Sequence, residues 1–117
     1  MNIFSLFKKP KVADPDEAVI SQLKNAGSNL SKPHKIDFFL YFGDEIAATN
    51  VKDIIQKENP SDSMAVEKSA QGNGFVLQLQ RIIVPDLSVL QDVRIRFNEL
   101  AQKYGGRYDG WGTEIGN

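Results

Sequence analysis

The 117 residues carry 14 basic and 15 acidic side chains, for a formal net charge of -1 and an isoelectric point near 5.8. At 41% hydrophobic and 25% charged residues, the composition is that of one folded soluble domain with a single core, not a disordered chain. The absence of cysteine excludes disulfides, thiol nucleophiles and thiolate metal sites together and suits a reducing, cytoplasmic compartment, while the balanced charge argues against a surface built to grip phosphate backbones.

Residues 1–13 read as an N-terminal tail and 14–117 as a single domain. In the tail, Ile3-Phe4-Ser5-Leu6-Phe7 precedes Lys8, Lys9 and Lys11. A secretory signal would place its charges first and carry a longer apolar stretch. A frayed terminus is the expected state, with a weak interfacial anchor as the alternative. No segment nears the roughly 18 apolar residues of a membrane span.

Asp14-Pro15-Asp16-Glu17 starts a helix. Asp14 is placed to cap, Pro15 suits the first helical position, and Glu17 reaches back in a capping box. The favourable dipole at a helix N-terminus is reason enough for Asp14, Asp16 and Glu17. Val19, Ile20, Leu23 and Ala26 form the apolar stripe, and Gly27 ends it. His34 to Phe42 alternates as a strand: His34, Ile36, Phe38, Leu40 and Phe42 face the core, and Lys35, Asp37, Phe39 and Tyr41 face a partly covered side.

Gly43-Asp44-Glu45 opens a second helix with the stripe Ala47, Ala48, Val51, Ile54 and Ile55, stopped by Asn59-Pro60. Residues 62–69 and 75–84 are strands joined by the turn cluster Ala70 to Gly74, with Met64, Val66, Phe75, Leu77 and Leu79 inward. Pro85-Asp86 starts the longest helix, whose stripe is Leu90, Val93, Phe97, Leu100, Ala101 and Tyr104. Gly105-Gly106 ends it. Residues 107–115 form a last strand leading into a glycine-rich turn. After the leading helix the order is βαββαβ. The expected fold is therefore ferredoxin-like α+β, an antiparallel sheet with both later helices on one face.

Chemistry is sparse. His34 is the only histidine, so no second imidazole or thiol stands ready for a metal, and the acids sit on helix starts and exposed faces. No nucleophile elbow, phosphate loop or dinucleotide fingerprint occurs. The expectation is a protein with no enzymatic activity, no cofactor and no metal. One RNA-binding fold shares this strand order, but Gln71-Gly72-Asn73-Gly74-Phe75-Val76 lacks the basic residue and one aromatic of its stacking motif, which argues against direct nucleic-acid binding.

The densest local feature is Gly105-Gly106-Arg107-Tyr108-Asp109-Gly110-Trp111-Gly112. An Asp-Gly turn here either presents Tyr108 and Trp111 to a partner or lets Trp111 seal the core edge. The candidate partner-binding set is Tyr108, Asp109, Gly110 and Trp111, joined by Phe39 and Tyr41 from the sheet's second face.

Tyr108-Asp109-Gly110-Trp111, following the helix end Leu100 to Gly106, resembles the C-terminal signature of the regulator of ribonuclease E activity B family. Ser31 to Phe42 and Ile83 to Leu87 are similar to further segments of that family, so the resemblance spans about Asp14 to Ile115. It implies a ferredoxin-like fold and a non-enzymatic protein that binds the endoribonuclease and inhibits RNA cleavage. The implied partner is a protein, ribonuclease E. The residues themselves leave open a small interaction domain with another partner, or one that pairs with a second copy of itself.

Overall fold

The computed structural model describes residues 15–70 and 72–113. The tail over 1–13, the Asp14 cap and the end of the last strand at Ile115 lie outside them. Hydrophobic periods of the two kinds sort the chain into α1 (Pro15–Asn25), β1 (His34–Phe42), α2 (Glu45–Glu58), β2 (Ser63–Lys68), β3 (Phe75–Ile83), α3 (Leu87–Lys103) and β4 (Arg107–Thr113).

Local chemistry sets the ends. Asp44 is extended, and its side chain accepts the Ala47 N–H at 2.8 Å to start α2. Asp86 accepts the Ser88 N–H at 3.2 Å to start α3. Such caps stabilise by about 1 kcal/mol each. At the far end of α3, Gly105 takes φ +75°, and the N–H groups of Gly105 and Gly106 reach back to the carbonyls of Gln102 and Ala101. That pair of bonds satisfies carbonyls the helix leaves orphaned.

The strands pair antiparallel throughout, in the order β2-β3-β1-β4. This is the ferredoxin-like arrangement, with β1 central. Ile36, Phe38, Leu40 and Phe42 pack beneath Val51 and Ile55 of α2 and Val93, Phe97 and Leu100 of α3. Phe38 and Phe97 meet edge to face, with ring centres 5.4 Å apart. Helix α1 lies on the same side, with Leu23 buried and Ile20 packed against the core. The expected stripe is one residue too long: Ala26 falls beyond α1 and is exposed. No element among the described residues covers the other face of the sheet.

The inward series Phe75, Leu77, Leu79 continues into a charge. Arg81 stands opposite Ile36 with its guanidinium 5.7 Å from the Phe97 ring centre and 6.0 Å from that of Phe38. It is held there by Asp62. Arg81 Nε donates to Oδ1 at 2.9 Å, and Nη2 donates to Oδ2 at 2.6 Å. A forked pair of this kind satisfies both partners, which lets an otherwise costly charge sit over aromatic rings. Across the helices, Arg96 Nε donates to Glu58 Oε1 at 3.2 Å. The Arg96 hydrogen bond holds the Glu58 carboxyl below the usual range, but both groups are well exposed and contribute little to stability.

Phe38→Ala or Phe97→Ala empties the centre of this core. Each is expected to cost about 3–5 kcal/mol in urea denaturation, whereas Phe39→Ala, the neighbouring aromatic on the uncovered face, costs well under half as much.

Candidate functional site

Strand β4 pairs with β1 in two registers. Thr113, Gly112 and Trp111 stand opposite Ile36, Asp37 and Phe38, while Tyr108 and Arg107 stand opposite Leu40 and Tyr41. Between them Asp109 and Gly110 oppose the single residue Phe39. This is a β-bulge, and Gly110 supplies the left-handed φ of +102° that it uses. The Asp-Gly turn expected from local chemistry is therefore corrected. The chain does not reverse at Asp109-Gly110, because β1 holds the strand on both sides of that pair.

The bulge changes where side chains point. Residues three apart in a regular strand face opposite sides. With one residue inserted, Tyr108 and Trp111 both face the helices. Trp111 Nε1 donates to Asp16 Oδ1 at 2.9 Å, and Arg94 Nε donates to Asp16 Oδ2 at 2.9 Å. Asp16 is only 2% exposed. One carboxylate thus ties α1 to α3 and β4, a tertiary role beyond the helix-dipole explanation its position invites. The Tyr108 ring meets Phe97 edge to face at 5.7 Å, and its hydroxyl is buried with no hydrogen-bond partner. Burial pushes the Tyr108 phenol well above the ordinary tyrosine range, the Asp16 carboxylate adding to the effect and Arg94 opposing it.

The uncovered face carries the rest of the candidate set. Phe39 and Tyr41 are half-buried, and the Arg107 guanidinium lies over the Tyr41 ring at 4.8 Å. Asp109 is 3.7 Å from Arg107, both side chains being largely exposed. Gln80 Nε2 donates to Asp37 Oδ1 at 3.1 Å on the same face. Beyond the end of β1, Tyr41, Gly43, Asn73, Gly106 and Arg107 line an open recess of about 500 Å³. The structure therefore brings Phe39, Tyr41 and Asp109 together with Arg107, and places Tyr108 and Trp111 on the opposite side of the sheet.

His34, 8% exposed, donates from Nδ1 to the Lys32 carbonyl at 2.7 Å. It closes the start of β1. Among the described residues no three acidic or histidine side chains cluster as a metal site, and no helix is long and apolar enough to cross a membrane.

A family model described as regulator of ribonuclease activity B matches residues 13–113. The chain belongs to that family. No curated protein matches the chain. Within the family match, the Tyr108-Asp109-Gly110-Trp111 segment has a definite geometry: a bulge at its centre with an aromatic on each side turned inward. Sequence reasoning missed Asp16 and Arg94 as its partners. A sign was present, since Asp16 lies on the apolar stripe of α1, four residues before Ile20 and seven before Leu23. Arg81 was visible in the same way, as the next member of the inward series of β3.

Asp16→Ala is expected to cost about 2–3 kcal/mol in urea denaturation, the worth of two bonds to a buried carboxylate. Arg94 is 30% exposed, so the cation left behind reaches water and the loss stays below that of a stranded buried charge. Tyr108→Phe removes a hydroxyl that nothing satisfies and is expected to leave stability at neutral pH unchanged or raised. The phenol also makes the fold sensitive to alkali. Its folded pKa lies above the unfolded value of about 10, so the unfolded chain loses the proton first and stability falls as pH rises through that value. Denaturation at about pH 9 and about pH 11 should show wild type losing more stability than Tyr108→Phe.

Proposed function

We propose that this chain is a non-enzymatic cytoplasmic regulator that binds the endoribonuclease ribonuclease E and lowers its cleavage of RNA. The observation that carries this reading is the match to regulators of ribonuclease activity B over residues 13–113. The fold supports it through the uncovered sheet face, where Phe39, Tyr41 and Arg107 supply the aromatic and guanidinium groups in which binding energy concentrates. Phe39, Tyr41 and Asp109 are then the contact residues. Tyr108, Gly110 and Trp111 act from behind by fixing the strand that bears Asp109.

A protein contact fits this face better than an RNA contact. Asp37, Glu67 and Asp109 stand on it against Lys35 and Arg107, and the chain as a whole carries -1. A strand with one phosphate per nucleotide would meet those carboxylates at close range.

The test uses purified protein, ribonuclease E and a labelled RNA. A complex should elute from a sizing column with no RNA present, and cleavage should slow as the protein is added. Phe39→Ala should weaken the complex by about tenfold or more while the fold persists. Cleavage unchanged at saturating protein, with no complex on the column, rejects the proposal.

A further inference from the structure

Most glycines among the described residues have a conformational or steric reason to be glycine. Gly27, Gly72, Gly105 and Gly110 take positive φ. A Cβ at Gly74 would lie 2.9 Å from the Phe42 carbonyl oxygen, and one at Gly106 would run into the Tyr41 carbonyl oxygen. Gly43 and Gly112 differ. Neither has a left-handed φ, and a Cβ on either would meet no protein atom within 4 Å. The fold would accept alanine at both positions.

The two lie on one surface. Gly112 stands opposite Asp37 in β4, and Gly43 lies in the bend that follows β1, two residues beyond Tyr41. They bracket the two exposed-face aromatics, and Gly43 also lines the recess beside Arg107. A glycine that neither φ nor packing requires leaves room for another backbone to come close, and within a strand it often marks such a place. Of the described residues lining the recess, Arg107 carries the charge. Its stack on Tyr41 fixes the plane of the guanidinium, and Asp109 at 3.7 Å holds it only loosely. A planar fork so placed matches a carboxylate.

We propose that the uncovered face, from Gly112 to the recess at Gly43, takes an extended segment of the protein partner whose backbone lies over the two glycines and whose carboxylate pairs with Arg107. Side chains of that segment pack on Phe39 and Tyr41. This rests on the protein-binding reading above and gives the bound segment its chemistry.

The full chain is compared with Gly43→Ala, Gly112→Ala and Arg107→Gln, using purified ribonuclease E and, separately, a phage-displayed library of random dodecapeptides. Each alanine variant should raise Tm by roughly 2–5 °C, because alanine restricts the unfolded chain, yet weaken the nuclease complex about tenfold or more. Arg107→Gln should weaken it similarly with Tm unchanged. Peptides selected by wild type should share one acidic position, the partner of Arg107, and should bind all three variants more weakly. A lowered Tm in both alanine variants gives the glycines an architectural reason and overturns the inference. So does a nuclease complex that all three variants form as wild type does, which leaves the regulator reading standing. If such peptides bind and need the glycines while the nuclease does not bind, the surface stands and the regulator reading falls. If neither nuclease nor peptides bind, both fall. Loss in the same variants of binding to a single-stranded RNA oligonucleotide, or of self-association, instead of peptide binding, also overturns the proposed occupant.

Discussion

Gly110 holds a left-handed φ in the middle of β4, and β1 pairs with the strand on either side of it. That one extra residue opposite Phe39 turns Trp111 toward the helices, where its indole N–H finds the Asp16 carboxylate. Asp16 in turn receives Arg94 from α3. The position of α1 on the domain depends on this chain of contacts as much as on the apolar contacts of Ile20 and Leu23. A strand without the bulge would send either Tyr108 or Trp111 to the wrong side of the sheet.

The same residue insertion separates two kinds of surface. Behind the sheet, two nearly buried carboxylates, Asp16 and Asp62, each hold an arginine, and the aromatic series Phe38, Phe97 and Tyr108 runs between them. These charges are specific because each has one well-placed partner in a medium that penalises any other arrangement. In front, Phe39, Tyr41 and Arg107 lie among the charges of Lys35, Asp37, Glu67 and Asp109 and polar residues such as Gln78 and Gln80. Nothing there is needed to hold the core together, so those side chains are free to be chosen for what they meet.

Much of this was legible from residue order. The alternation from His34 to Phe42 gave β1 with its observed bounds, and Gly43-Asp44-Glu45 and Pro85-Asp86 marked the starts of α2 and α3, where the structure shows each aspartate capping its helix. The helical stripes and inward strand sets gave the βαββαβ order of elements, and with it the ferredoxin-like class. The bulge was not legible, since an Asp-Gly pair has the same local preferences in a turn and in a bulge, and only pairing with a distant strand decides between them. Asp16 was visible as an acid on an apolar stripe, but its partners lie 78 and 95 residues away. Phe39 and Tyr41 could be assigned to the second face from their period, whereas the stacking of Arg107 on Tyr41 required the register of β4.

Among the described residues, β2 and β4 form the two borders of the sheet. Border strands expose unpaired backbone groups and invite like chains to add on, the first step toward fibrous aggregates. On one side, β2 is only six residues long and ends in Glu67 and Lys68. On the other, the displaced residue at Asp109-Gly110 puts the outward row of β4 out of step with any straight strand that approaches it. Both borders are therefore poor templates for the edge-to-edge addition of another strand, which is the route by which crowded, newly made chains join into fibres.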